Sequence, residues 1–450
     1  MSTGLARAAL RAHRPAFVGT AVAALFAATV VSASMMMLLV TSGDGLSAHA
    51  RKVMTANDVG DMAVVLLMSS IYLSIFVIAS TMGTAVAQQH RELALVRTIG
   101  ARPRQVRRAV AVQALMASVP AAFAGFLLGG VVARWWAAGM VAHGLFPAEV
   151  SFRFSWLALP VCLGVAVVTS VLGGLLSALR FSLLKPARAL AEAAAGRRRL
   201  GVVRAPLGVL AVLGACALSV LLTRQSAEDA GQAAFFVLLL FCLGVGLLGP
   251  RIIGPAARLV SALVGRFGGT SARLATLNVR SQPRRFAAAV VPLVLVVGFG
   301  LIKIATHTTA AHHTGSGGSK GEIWLDYVGT SLYAGFAAIA AANTLAMISL
   351  ERRRDLALLR VVGAQREQVR AMAVWESVVV AGTALLLGAA VAFVTLAPML
   401  STLYGSPVPY VPLPVLAGIG GGVLLLTSLA TGLPVRAALR GRAIASAQQS

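Results

Sequence analysis

The sequence predicts an all-α, polytopic membrane protein of about ten transmembrane helices, arranged as two parallel four-helix repeats around a central two-helix hairpin. Three observations carry that expectation: a composition too apolar for water, basic residues gathered into alternate loops, and one eighteen-residue segment written twice.

Of the 450 residues, 58% are apolar and 12% charged, about half the charged share of a soluble chain. The apolar residues fall into runs long enough to cross a hydrocarbon core of about 30 Å, which takes about 20 helical residues. In order these are Phe17 to Val40, Met62 to Val86, Ala109 to Ala133, Trp156 to Leu179, Leu207 to Thr223, Ala230 to Leu248, Ala287 to Ala305, Leu325 to Leu350, Met372 to Ala397 and Leu413 to Leu433. Ala48-His49-Ala50 has the small-x-small form of a signal cleavage site. The run before it is far longer than a signal core of about 7–15 residues, so it is read as the first span.

The net charge of +25 raises nucleic acid as a partner. A nucleic-acid binder concentrates its cations on one folded face; here they follow the chain's topology instead. With a cytoplasmic N-terminus, 32 of the 39 Arg and Lys fall in inner segments and 7 in outer ones. The positive-inside rule then places both termini in the cytoplasm of a bacterial plasma membrane and excludes nucleic acid. Cys162, Cys216 and Cys242 all lie in expected spans, which suggests neither disulfides nor a thiolate metal site.

His90 to Arg107 reads HRELALVRTIGARPRQVR, and Arg353 to Arg370 reads RRDLALLRVVGAQREQVR. At a constant offset of 263 they agree at ten of eighteen positions, where chance gives about one or two. A weaker likeness between Leu5 to Phe17 and Leu274 to Phe286 extends the repeat to a whole unit. The expected division is residues 1–190 as the first unit, 191–265 as linker and hairpin, and 266–450 as the second unit. An even number of spans per unit makes the copies parallel, related by a pseudo-twofold axis along the membrane normal.

Each repeated segment reads as a short amphipathic helix at the inner surface between two long spans. Leu93, Leu95, Val96 and Ile99 share one face in the first copy, and Leu356, Leu358, Leu359 and Val362 in the second. Gly100 and Gly363 supply the left-handed stop, and Gln105 and Gln368 open the next span. Arginines alone would need no more explanation than lipid-phosphate contact and orientation; the duplicated Leu/Gly pattern goes beyond that.

The E-L-A-L-x-R-x-x-G-A pattern, with Asp355 replacing Glu in the second copy, resembles the FtsX-like permease domain shared by MacB, lipoprotein-release and bacitracin-resistance-type exporters. The resemblance covers both four-span units. It implies a transmembrane permease subunit of an ABC transporter that exports or extracts a hydrophobic or amphiphilic compound by mechanotransmission. It further implies that Glu92, Leu93, Leu95, Arg97, Gly100 and Ala101, with Asp355, Leu356, Leu358, Arg360, Gly363 and Ala364, dock a cytoplasmic ABC ATPase, two copies per chain.

The sequence holds no G-x-x-x-x-G-K-[ST] phosphate loop, so ATP and Mg are expected on the partner and none as cofactors of this chain, which is not read as an enzyme. Relatives carry a sizeable external domain, whereas the outer loops Thr41 to Asp61 and Thr306 to Trp324 have about 20 residues each. The expected partners are therefore the ATPase, membrane lipid, and an extracytoplasmic protein in place of that domain. Two other classes are open: an ATPase-driven regulator of cell-wall hydrolases or of a sensor kinase, and an ion-driven secondary transporter. The scarcity of ionisable residues within spans disfavours the last.

The remaining candidates have plainer readings. Glu376, Asn343 and Gln113 are polar residues within spans, read as interhelical hydrogen-bonding groups rather than proton sites. His307, His312 and His313 read as part of a solvated outer loop rather than a metal site. Gly125-x-x-x-Gly129 and Gly418-x-x-x-Gly422 permit close helix packing. Ser406 to Pro414 reads as a stiff outer turn, and Ala194 to Arg204 as a basic linker.

Overall fold

The computed structural model describes residues 14–43, 46–56, 59–89, 95, 100–183, 204–221, 227–281, 283–315 and 317–440. Among these every regular element is a helix. In chain order they are α1 (Arg14–Thr41), α2 (Ala48–Ala56), α3 (Val59–Gln88), α4 (Pro103–Ala142), α5 (Ala158–Leu183), α6 (Arg204–Leu221), α7 (Ala227–Phe267), α8 (Gly269–Ser281), α9 (Pro283–Thr314), α10 (Lys320–Glu351), α11 (Arg353–Val361), α12 (Arg366–Tyr404) and α13 (Leu413–Arg440).

Eight of them, α1, α3, α4, α5, α9, α10, α12 and α13, are long and apolar enough to span a membrane. The fifth expected run, Leu207 to Thr223, falls in α6 as far as Leu221, and the 18 described residues of that helix reach about 27 Å. The sixth lies in α7, which bends by 81° beside Gly249. Pro250 has no amide hydrogen to continue the ladder and restricts the residue before it, and Gly249 takes up the break at φ 0°, ψ −80°. The apolar run ends one residue before that bend.

The chain forms two compact units, Met1–Arg199 with Lys320–Ala340, and Leu200–Ser319 with Ala341–Ser450. In the first, α4 lies along α1, and α3 and α5 complete the bundle. Between apolar helices in lipid, close packing rather than water exclusion drives association, and glycines make the approach possible. A Cβ on Gly125 would come within 2.8 Å of Ala28 Cβ, and one on Gly129 within 2.6 Å of Ser32 Oγ. Ser32 Oγ donates across the same contact to the Phe126 carbonyl at 3.2 Å, and Phe126 is fully buried. The first part of α10 adds Phe336, which meets Phe26 edge-on at 5.0 Å.

In the second unit, α12 packs on α9, α13, α7 and α8. A Cβ at Gly388 would stand 2.5 Å from Val297 Cγ1. The α6–α7 hairpin belongs here: Ser219 Oγ on α6 donates to the Val394 and Thr395 carbonyls of α12 at 3.2 and 3.1 Å. Ser377 on α12 and Thr431 on α13 join their hydroxyls at 2.5 Å. The second small-residue motif behaves differently from the first, because nothing lies within 4 Å of a Cβ placed on Gly418 or Gly422.

Candidate functional site

α10 ends at Glu351, and Arg352 turns the chain into the nine-residue helix α11. α11 stops in a Schellman turn. The Gly363 amide donates to the Arg360 carbonyl at 3.2 Å and the Ala364 amide to Leu359 at 2.9 Å, with Gly363 in the left-handed region at φ +108°. This pairing satisfies the carbonyls a helix end leaves open, and a residue without Cβ makes it easy. Gln365 then caps α12: its amide donates to the Gln368 side-chain oxygen, three residues on, at 3.0 Å.

The left-handed glycine and the glutamine cap recur 263 positions earlier. Gly100 has φ +102°, and the Arg102 amide donates to Gln105 Oε1 at 2.9 Å as α4 begins, with Pro103 in its first turn. Both glutamines therefore do what the sequence suggests: they return a side-chain acceptor to the backbone donor at the helix start. The two helices so launched have 40 and 39 residues, about 60 Å, roughly twice the hydrocarbon thickness. Each is long enough to cross a membrane and continue beyond it.

The α11 surface differs from the face expected of it. Leu356 and Ala357 are buried, and Leu356 packs with Ala275, Val369, Met372, Ala373, Val435 and Leu439. Leu358, Leu359, Val361 and Val362 instead point outward, Val362 with 87% of its surface exposed. In so short a helix, docking of Leu356 into the cluster formed by α8, α12 and α13 decides the rotation and turns the other three leucine and valine positions of the expected face away. Asp355 and Gly363 are exposed beside this patch, and Arg360 and Ala364 are half-buried. In the first segment Leu95 is exposed to nearly the same degree as its counterpart Leu358, 48% against 47%. Gly100 is exposed and Ala101 half-buried. Glu92, Leu93 and Arg97 lie outside the described residues, as does most of the basic linker beginning at Ala194.

Beneath α11 lies a buried polar junction. Arg352 Nη1 donates to Glu376 Oε2 at 2.6 Å, and Asn278 Nδ2 on α8 donates to Glu376 Oε1. The two charged side chains are only 10% and 7% exposed. One carboxylate thus ties α8, the α10–α11 corner and α12 together, which is the interhelical role expected of Glu376. Arg352 reads from the sequence as one more loop charge. The corresponding positions of the first copy hold Gln89 and Gln113, both buried, where Gln89 Nε2 and Gln113 Oε1 have no hydrogen-bond partner among the described residues.

The histidines expected in a solvated loop belong to the last turns of α9. His312 stacks on Tyr410 at 4.2 Å and His313 on Tyr404 at 4.8 Å, while His307 Nδ1 lies 3.0 Å from the Gly317 carbonyl. Ala310 and Ala311 let α9 continue to Thr314, and the aromatic stacks hold its end against the turn before α13.

A family model described as FtsX-like permease C-terminal matches the chain twice, over residues 64–186 and 328–442, together more than half its length. No curated protein matches it. Each matched stretch contains one of the two glycine turns and the long helix that follows it.

Proposed function

Because the chain belongs to the FtsX-like permease family, we propose that it is the membrane-spanning subunit of an ABC transporter in the bacterial plasma membrane, with both termini cytoplasmic. Two copies of a cytoplasmic ATPase, carrying ATP and Mg, dock on its two coupling segments. Their strokes expel or extract a hydrophobic or amphiphilic compound.

The observation that carries this reading is the construction of α11. Three apolar residues, Leu358, Leu359 and Val361, together with the C-cap Val362, stand exposed on a nine-residue helix that a Schellman turn and a buried ion pair hold at the root of a 39-residue helix. An exposed apolar cluster edged by polar groups suits a protein partner. Its rigid continuity with α12 suits the transmission of force.

The paired glycine turns and paired family matches, both about 263 residues apart, support a duplicated unit that presents two such docking points on one polypeptide. Residues 1–190 and 266–450 are the two units in this reading, with 191–265 between them. The short outer segments favour a cargo handled by the membrane bundle, with any outer partner a separate protein.

The test is copurification. The chain expressed with its cognate ATPase yields a complex of two ATPases per chain, and Val362→Asp together with Leu359→Asp weakens it.

A further inference from the structure

The far end of α4 carries a groove that the docking reading does not use. α4 runs on past its apolar stretch, from Arg134 to Ala142, and the chain then doubles back alongside it. Gly144 makes the turn at φ +75°, and the Leu145 and Phe146 amides both donate to the Met140 carbonyl, at 2.9 and 3.2 Å. The returning segment is pinned by Phe154, which meets Phe126 edge-on at 5.3 Å and Trp156 at 5.4 Å. Gly130 leaves room for it, since a Cβ there would stand 2.6 Å from Phe154 Cδ2.

Between helix and segment is a groove of about 770 Å³, within the size range of small-molecule sites. Leu127, Val131 and Val141 form one wall, Val150 and Phe152 the other, and Arg134 supplies the cation. Among the described residues no carboxylate lines it, and Arg134 is exposed with no hydrogen-bond or ion-pair partner. Trp135, next to Arg134 in sequence, and Trp156, which meets the lining Phe154 at 5.4 Å, have 60% and 61% of their surfaces exposed. Tryptophans so placed mark the level of lipid headgroups. Arg134 lies 31 residues along α4 from Pro103, about 45 Å of helix path from the first coupling turn.

We propose that this groove binds an anionic lipid drawn from the leaflet opposite the coupling segments, its phosphate on Arg134 and an acyl chain along Leu127 and Val131. A guanidinium fits a phosphate with paired charge-assisted hydrogen bonds. Leu127, Val131 and Val141, on a helix long and apolar enough to span a membrane, give an acyl chain an apolar wall to lie along. That the lipid is cargo rests on the transporter reading; that it binds does not.

Native mass spectrometry of the full chain, purified and exposed to equal amounts of phosphatidylglycerol and phosphatidylcholine, tests it. Wild type retains phosphatidylglycerol preferentially, and Arg134→Gln loses roughly tenfold of that preference, whereas Arg134→Lys keeps most of it. Ala138→Trp, which fills the groove from an exposed position on α4, loses the bound lipid altogether. Equal retention of both lipids by wild type overturns the proposal, as does retention indifferent to both Arg134→Gln and Ala138→Trp. The same samples are probed for the copurifying ATPase. Its absence from wild type would contradict the transporter reading alone, and its presence in an Arg134→Gln chain without lipid preference separates the two claims.

Discussion

Arg352 and Glu376 form a buried ion pair at 2.6 Å, and the residues 263 positions before them, Gln89 and Gln113, are buried amides. One half of the chain thus locks its α10–α11 corner with charge, and the other places neutral groups at the corresponding positions. Removing one partner of a buried pair strands the other, at a cost of about 3–5 kcal/mol, whereas replacing both can be nearly neutral. Arg352→Gln and Glu376→Gln should each lower the thermal midpoint of the purified chain substantially. The double substitution, which installs the residues of the first copy, should recover most of the loss in a double-mutant cycle.

Gly363 sits at φ +108° with open space around it, so strain rather than collision opposes any side chain there. Gly363→Val should cost about 1–3 kcal/mol, loosen the Schellman turn and weaken the ATPase complex, as Gly100→Val should at φ +102°. A pull-down of each variant against wild type measures it.

The two glycine pairs that look alike in sequence should respond oppositely. Gly129→Leu drives its side chain into Ser32 and Thr29, and overpacking of this kind costs about 1–3 kcal/mol or more. Gly422→Leu meets nothing within 4 Å and should change stability by no more than about 0.5 kcal/mol. Thermal unfolding of the two variants in one detergent gives the comparison.

The orientation proposed from the arginine distribution can be read with single cysteines in a background lacking Cys162, Cys216 and Cys242. Val362→Cys, highly exposed on the coupling side, should react with a membrane-impermeant maleimide only after the cells are opened. Val408→Cys, exposed in the turn before α13, should react in intact cells.

The fold was legible from the sequence where one dimension suffices. Apolar run length foretells the long spans, and the Gln105 and Gln368 caps follow from local spacing. The rotation of α11 was not legible, because Leu356 is chosen for the interior by Ala275 and Leu439, far away along the chain. Glu376 stood out as an acid within a span, but Arg352 looks like any loop arginine until its partner 24 residues on is brought beside it. Gly418-x-x-x-Gly422 satisfies the packing pattern, yet the pattern cannot say whether a helix lies opposite. The bend of α7 was signalled by Gly249-Pro250, though the composition of the run alone suggested an ordinary span.

The docking claim is tested most directly by measuring the stoichiometry of the complex formed by the full chain and its cognate ATPase in detergent, for wild type and for Leu359→Asp with Val362→Asp. Two ATPases per chain, with the complex weakened by the substitutions, is the result expected. A wild-type chain that binds no ATPase, or that moves its cargo in ATPase-free liposomes on an ion gradient alone, would contradict the account.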